Sequence, residues 1–214
     1  MPRPARSNPL ALAVLVSLYE KPMHPYEVAQ TLRKRAKQES VRLNYGSLYA
    51  VVDGLEKRGL IKATGTVRTG KRPERTVYEI TDDGSVEMVD WLTDLIEVPS
   101  KEYPAFMAGL SFVPALAPDD ALAALRSRAE GLTIKLASLQ GAMKAAQSAG
   151  LPRIFELEVE YEEVLLKAEL KFVSGLIEDM ESGHLGGLEM WHLFHTEGFD
   201  PEEVEFTFNL DPTE

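Results

Sequence analysis

The sequence predicts a mostly α-helical protein with one small β-hairpin. Apolar residues recur at helical spacing along most of the chain, and only residues 61–80 change to the β-branched pattern of strands. The charge is also uneven. Lys and Arg exceed Asp and Glu by 8 within residues 1–80, whereas residues 81–214 carry a balance of −19, within the total of −11. A basic N-terminal part is therefore followed by an acidic part.

Three short helices are expected before residue 60. The first covers residues 8–19, with Ser7 or Asn8 as its cap, and the second starts at Pro25, which suits the first turn of a helix. The third begins near Asn44 and ends at Gly59. Its apolar residues are spaced at i, i+3, i+4 and i+7 and form a buried stripe of Leu48, Val51, Val52 and Leu55. This stripe leaves a polar face exposed, which includes Tyr45, Ser47, Tyr49, Asp53 and Lys57.

A β-hairpin and a fourth helix follow. The strands are expected at Ile61–Arg68 and Arg75–Ile80, and the tip between them is basic. The fourth helix is capped by Thr81, Asp82 or Asp83 and runs to Pro99. Its inward stripe is expected to consist of Val86, Val89, Leu92 and Ile96, broadened by Met88, Trp91 and Leu95. Helix, helix, exposed helix and hairpin in this order predict a winged helix-turn-helix domain, assigned to residues 1–99.

The acidic part is predicted to form an antiparallel helical hairpin, a dimerisation and effector domain assigned to residues 100–182. A heptad seam in the first helix favours helix-on-helix packing and is the expected dimer contact; it consists of Leu122, Leu125, Ala129, Leu132, Leu136, Leu139 and Met143. The second helix is expected to turn inward Ile154, Leu157, Tyr161, Val164, Ala168 and Phe172. Residues 183–214 are predicted to be an acidic tail with a short docking helix around Trp191 and Phe194.

The basic part contains what binding to duplex DNA requires, a helix presented to the major groove and cations aimed at phosphates on either side. Each phosphate contact adds affinity that does not depend on sequence. The candidate DNA-contacting residues are Asn44, Tyr45, Ser47 and Tyr49 on the third helix, Arg42 and Lys57 beside it, Lys71, Arg72 and Arg75 at the hairpin, and His24 and Tyr26 at the second helix. His24 has a second use as the cap of that helix, and an ordinary solvated helix face is the alternative for the third helix.

Several segments, matched in order, resemble the PadR family of transcriptional regulators. They are Leu12–Leu15, Met23–Val28, Tyr45–Tyr49, Leu55–Ile61 and Arg75–Gly84. The resemblance covers residues 8–97 closely and the helical hairpin up to about residue 182 more loosely, where it is similar to the C-terminal dimerisation domain of the longer members. It implies a homodimeric, usually repressing regulator that a small effector releases from its operator. Two-fold symmetry of the dimer would require an inverted-repeat operator.

Two further groups of residues raise the question of a ligand site. Trp91, Tyr103 and Phe106 are candidates for lining a site for a small aromatic or apolar effector between the two parts, although core or dimer packing is the commoner use of such side chains. His184, Glu189, His192 and His195 lack the His-Glu-x-x-His spacing, so no metal is expected. No catalytic motif is visible, and neither an enzyme nor a bound cofactor is expected.

The sequence thus favours a cytoplasmic, DNA-binding regulator of transcription. The rival interpretation is a protein-interaction module whose winged helix no longer binds DNA. The absence of cysteine fits a reducing compartment. The apolar run Leu10–Leu18 is too short to span a bilayer and no cleavage site follows it, so neither a membrane segment nor a signal peptide is expected.

Overall fold

A computed structural model describes residues 8–37, 41, 44–67 and 75–196. The chain divides into two compact units, Met1–Glu102 and Tyr103–Glu214. Within the described ranges, the helices are too short or too polar to cross a membrane.

The first unit consists of four helices and one hairpin over its described residues. They are α1 (Pro9–Glu20), α2 (Pro25–Lys34), α3 (Tyr45–Lys57), β1 (Ile61–Val67), β2 (Arg75–Ile80) and α4 (Asp82–Glu97). The predicted elements are confirmed, and so are the caps. Asn8 Oδ1 accepts a hydrogen bond from the Leu10 N–H at 3.1 Å, and Thr81 Oγ1 accepts one from the Gly84 N–H at 3.0 Å. Arg68 lies outside the described residues.

The core of the first unit is built around α1, which contacts α2, α3, α4 and β2. Val14 and Leu15 of α1 are fully buried. The stripe predicted for α3 is confirmed: Leu48, Val52 and Leu55 are buried, and Val51 packs partly buried against the same core. Each such side chain contributes about 1.5–3 kcal/mol by leaving water. This burial fixes the rotation of α3 and therefore which face it exposes.

The hairpin is tied to the helices at two places. β1 and β2 pair antiparallel with Ile61 opposite Ile80, and a bulge lies between Ala63 and Gly65. Met23, in the turn between α1 and α2, forms a two-way bridge with Tyr78, with both N–H to oxygen distances at 3.0 Å. Tyr78 packs partly buried against the core, as the sequence favoured. The start of α2 is therefore held beside the hairpin.

The inward face predicted for α4 is confirmed at Met88 and Trp91 and wrong at its other positions. Its buried side chains are Met88 and Trp91, whereas the predicted stripe and Leu95 are exposed, from 37% at Leu92 to 86% at Ile96. The helix has apolar residues on two faces, and spacing alone does not say which face a single chain buries. α4 contacts α1. Its second apolar face, formed by Val86, Val89, Leu92, Leu95 and Ile96, stays exposed in one chain.

The second unit is a helical hairpin with short flanking helices, as predicted. Its elements are α5 (Ala105–Ser111), a 3₁₀ helix (Val113–Ala115), α6 (Pro118–Ser148), a second 3₁₀ helix (Arg153–Phe155), α7 (Leu157–Glu181) and α8 (Leu188–Phe194). The α6 seam packs within the chain: Leu125 and Leu132 are buried, and Leu122, Ala129, Leu136 and Leu139 pack partly buried in the same cluster with α7 residues. The expectation that this seam is the dimer contact is therefore wrong for the buried positions.

The inward face predicted for α7 is also wrong. Leu166, Val173 and Met180 are the buried residues of this helix, and Leu170, Leu176 and Ile177 are partly buried beside them. The predicted stripe is exposed, with 65% of Tyr161, 61% of Val164 and 53% of Phe172 accessible. Like α4, this helix carries two apolar stripes, and packing against α6 uses the other one. We call the exposed stripe, Leu157, Tyr161, Val164, Leu165, Ala168 and Phe172, the outer face of α7.

The short helix predicted around Trp191 and Phe194 is present as α8. Trp191 is buried in the core of the second unit, and its indole N–H donates to the Leu116 carbonyl oxygen at 2.8 Å. His195 Nε2 lies 3.0 Å from the Pro114 carbonyl oxygen. These contacts hold α8 against the segment between α5 and α6.

Candidate nucleic-acid interface

The face of α3 opposite the core presents polar and aromatic side chains. Asn44 precedes the helix as its cap, and its Oδ1 accepts from the Gly46 N–H at 2.9 Å. Ser47 and Lys57 are exposed, and Tyr49 is 45% exposed. Because Leu48, Val52 and Leu55 anchor the other side, these groups are held on a fixed helix rather than on a mobile loop.

His24 joins the start of α2 to this face. Its Nδ1 accepts from the Tyr26 N–H at 3.0 Å, while Glu27 Oε2 accepts from the His24 N–H at 3.0 Å, which completes a capping box. The His24 ring meets the Tyr49 ring edge to face, with ring centroids 6.4 Å apart. An accepting Nδ1 leaves Nε2 as the protonated nitrogen of the neutral ring, so His24 retains one donor.

Arg75 of the hairpin lies beside the start of α2. Its guanidinium carbon lies 5.5 Å from the centre of the Tyr26 ring, within the range of a cation–π contact. Partial burial, and secondarily the Arg75 charge, lower the pKa of His24 below its ordinary value. His24, Tyr26, Tyr49 and Arg75 thus come from α2, α3 and β2 and form one group, which we call the aromatic-basic cluster.

The aromatic-basic cluster carries groups that can neutralise and hydrogen-bond a phosphate, and it lies beside the exposed face of α3. Arg75 supplies a permanent cation, Tyr49 a hydroxyl on an exposed ring, and His24 a neutral donor. Nothing in the spacing of the sequence indicated that His24 would touch Tyr49 or that Arg75 would cover Tyr26. Those pairings depend on the bridge between Met23 and Tyr78, which sets the start of α2 beside β2.

Several residues that were predicted to contact DNA are not part of the aromatic-basic cluster. Arg42, Lys71 and Arg72 lie outside the described residues, and Tyr45 is described only as the first backbone residue of α3. Their DNA contacts, and those of Lys57 at the other end of α3, remain predictions. The same holds for the basic tip of the hairpin as a whole.

The three residues predicted to line an effector site belong to different units. Trp91 is 3% exposed and packs in the core of the first unit, which is the commoner use of such a side chain. In the second unit, Tyr103 is 80% exposed, and Phe106 packs edge to face on Phe172 at 6.5 Å. The Arg128 guanidinium covers the Phe106 ring at 3.7 Å, a contact that no spacing signal indicated. The effector site stays a prediction.

The tail histidines are used in local contacts. His184 Nδ1 lies 2.9 Å from Ser182 Oγ, and His195 Nε2 lies beside the Pro114 carbonyl. Within the part of the chain that the structure describes, no three histidine, aspartate or glutamate side chains are grouped to hold a metal ion.

A three-helix core with an exposed, capped third helix and an adjoining hairpin defines the winged helix-turn-helix class of DNA-binding domains. Residues 14–90 match the model of the transcriptional regulator PadR-like family. Over these residues the first unit is therefore similar to the PadR family of transcriptional regulators.

Relatives of known identity agree with this assignment. The negative transcriptional regulator PadR of Bacillus subtilis (strain 168) is 23% identical over 146 residues, which cover 68% of this chain and 79% of that protein. Among solved structures, Bacillus subtilis PadR in complex with operator DNA has a TM-score of 0.67 at 20% identity and covers 81% of this chain and 99% of its own. The same protein in complex with p-coumaric acid has a TM-score of 0.66 at 19% identity, covering 80% and 98%.

A third similar structure is the virulence activator AphA of Vibrio cholerae, with a TM-score of 0.60 at 15% identity, covering 81% of this chain and 98% of its own. At these identities the structures show a shared fold over both units. The fold therefore extends beyond the segment that the family model matches.

Proposed function

We propose that this chain is a cytoplasmic, sequence-specific DNA-binding regulator that represses transcription as a homodimer. The aromatic-basic cluster beside the exposed face of α3 is the observation that carries the proposal. It gathers one cation, two tyrosine rings and one neutral histidine donor next to the helix that would enter the major groove. Bacillus subtilis PadR, whose fold this chain shares, has been crystallised with operator DNA.

The outer face of α7 supports the dimer. An exposed apolar stripe of six residues on a single chain is a typical sign of a protein interface. Two copies joined along it could present two α3 helices to successive major grooves, about 34–36 Å apart, so the operator would be an inverted repeat.

Release by a small effector is the second part of the proposal. An effector that binds one arrangement of the dimer better than another lowers operator affinity by that difference in affinity. The complex of Bacillus subtilis PadR with p-coumaric acid gives this part its support. Trp91, Tyr103 and Phe106 remain the residues that the sequence nominated.

A salt titration tests the DNA proposal. The full chain is titrated with duplex DNA from upstream of its own gene at several salt concentrations, and the logarithm of affinity is plotted against that of salt. Arg75→Ala should reduce the slope by about one, and Lys71→Ala with Arg72→Ala should reduce it by about two. Lys144→Ala, an exposed lysine of the second unit, is the matched loss of charge and should leave the slope unchanged.

The same titration distinguishes this proposal from the rival interpretation, a protein-interaction module. A winged helix that serves only as a protein-interaction module would bind this duplex no better than scrambled DNA. Its slope would also be the same in the Arg75 and Lys144 variants.

A further inference from the structure

The second unit contains an apolar pocket at the end of the helical hairpin. It has a volume of about 290 Å³, is partly open to solvent, and is lined by residues of α6, α7, α8, the turn before α8 and the 3₁₀ helix before α6. Its walls include Leu125, Leu176, Met180, Leu188, Met190 and Trp191. None of these residues was predicted from the sequence to bind a ligand, and the pocket shares no residue with Trp91, Tyr103 and Phe106.

The turn before α8 and the contacts of Trp191 give the pocket its shape. Gly187 has a φ of +83°, which favours glycine, and precedes the first residue of α8. Trp191 follows one helical turn later, and its indole N–H already donates to the Leu116 carbonyl oxygen at 2.8 Å. The indole therefore has no polar group left for a ligand and offers only ring surface.

The lining determines the ligand chemistry. Every residue that lines the pocket is apolar or glycine, so a charged ligand would lose its hydration without a compensating partner there. Two methionine thioethers and the indole suit an aromatic ring. The volume is at the lower end of the range of small-molecule sites, roughly 300–1,000 Å³, and is too small for a helix of a protein partner.

We propose that this pocket is a binding site for a small, neutral, apolar molecule with a planar ring. Binding there uses the second unit alone and does not depend on the proposed DNA function. A chain that bound no DNA would still bind the ligand, and a chain that bound no ligand could still bind DNA.

A neutral probe and its charged counterpart test the proposal. N-phenyl-1-naphthylamine is neutral, and 8-anilino-1-naphthalenesulfonate carries the same rings with an added sulfonate. The full chain with Trp91→Phe keeps Trp191 as its single tryptophan, whose emission overlaps the absorption of the neutral probe. We expect saturable energy transfer from Trp191 with one probe per chain, and at least about tenfold weaker binding of the sulfonate.

A pair of methionine variants locates the site. Met190 lines the pocket and is 41% exposed, so Met190→Glu places a charge at the pocket without disturbing a buried position. Met107, on α5, is 54% exposed and does not line the pocket, so Met107→Glu is the matched control. Met190→Glu should weaken the neutral probe by about tenfold or more, and Met107→Glu should leave its affinity unchanged.

Three results would overturn the proposal. Equal affinity of the two methionine variants would place the probe elsewhere, such as on an exposed helix face. Equal affinity for the two probes would contradict the neutral chemistry. The sequence also continues with Phe199, Phe206 and Phe208. If the neutral probe binds only after these three are changed to Ser, the occupant is the chain itself rather than a small molecule.

Discussion

Gly84 determines how closely α4 approaches the end of the hairpin. A Cβ at this position would lie 2.0 Å from the Leu60 carbonyl oxygen and 2.8 Å from Ile80 Cγ1. The first of these neighbours is backbone, which cannot move aside as a flexible side chain can. We expect Gly84→Ala to lower the free energy of unfolding of the first unit by about 1–3 kcal/mol, the usual cost of overpacking. The measurement is a urea titration in a background with Trp191→Phe, where Trp91 is the single tryptophan.

Gly54 is the matched control for this substitution. It lies inside α3, and a Cβ there would meet nothing within 4 Å. Gly54→Ala should raise the free energy of unfolding by about 0.5–1 kcal/mol, because alanine loses less backbone entropy in a helix. Equal destabilisation by both variants would show that close contact at Gly84 is not the cause.

His24 makes the stability of the first unit depend on pH. Burial and the Arg75 charge lower the pKa of His24 below its ordinary 6.5, so the unfolded chain takes up this proton first as the pH falls. The stability that the neutral ring contributes is present above the ordinary pKa and is lost as the pH falls through the folded pKa. An imidazolium would also lose the Nδ1 acceptor that caps α2.

The test compares the wild type with His24→Asn, since asparagine also caps helices but does not titrate in this range. Between about pH 7.5 and pH 5, the wild type should lose more stability than the variant. Both are measured by urea titration in a background with Trp191→Phe, so that the fluorescence is that of Trp91 alone. Parallel losses in the two proteins would contradict the role given to His24.

At the scale of elements, α7 has two apolar stripes and a single chain buries only one of them. Leu166, Val173 and Met180 pack in the hairpin, while the outer face of α7 is exposed. We expect Val164→Asp to weaken the dimer by at least about tenfold, because an interface would have to bury an unpaired carboxylate. Sedimentation velocity over a range of protein concentrations measures this.

Ser138→Asp is the control for this element. Ser138 is exposed on α6, so the substitution adds the same charge to the same unit outside the outer face of α7. It should leave the dimer unchanged. Wild-type sedimentation of both variants would move the dimer contact away from α7, for example to the exposed apolar face of α4.

At the scale of the whole molecule, the unequal charge of the two parts bears on how DNA is bound. The basic balance of +8 lies within residues 1–80, and the remainder, at −19, repels phosphate. DNA contact should therefore be confined to the first unit of each copy. A hydroxyl-radical footprint of the promoter should show two protected half-sites about one helical turn apart. A single protected site, or protection that does not change when either half-site is scrambled, would contradict the homodimer on an inverted repeat.

Much of the fold and part of the site could be predicted because the relevant signals are local. The stripe of Leu48, Val52 and Leu55 has one partner surface, so its period placed both the core and the exposed face of α3 correctly. Caps such as Asn8 and Thr81 act within one turn of their helices. The aromatic-basic cluster could be predicted only as a set of residue types, because its pairings join three elements distant in sequence.

By itself, the sequence determined the elements, their order, the charge division and the family motifs, since each depends on residues close together in the chain. Tertiary structure alone decided which stripe of α4 and α7 is buried. It also decided that α6 packs its seam against α7 of the same chain and that Trp191 lines a pocket. The physical reason is that helical periodicity reports that a face is apolar. Which surface covers that face depends on the packing of distant segments.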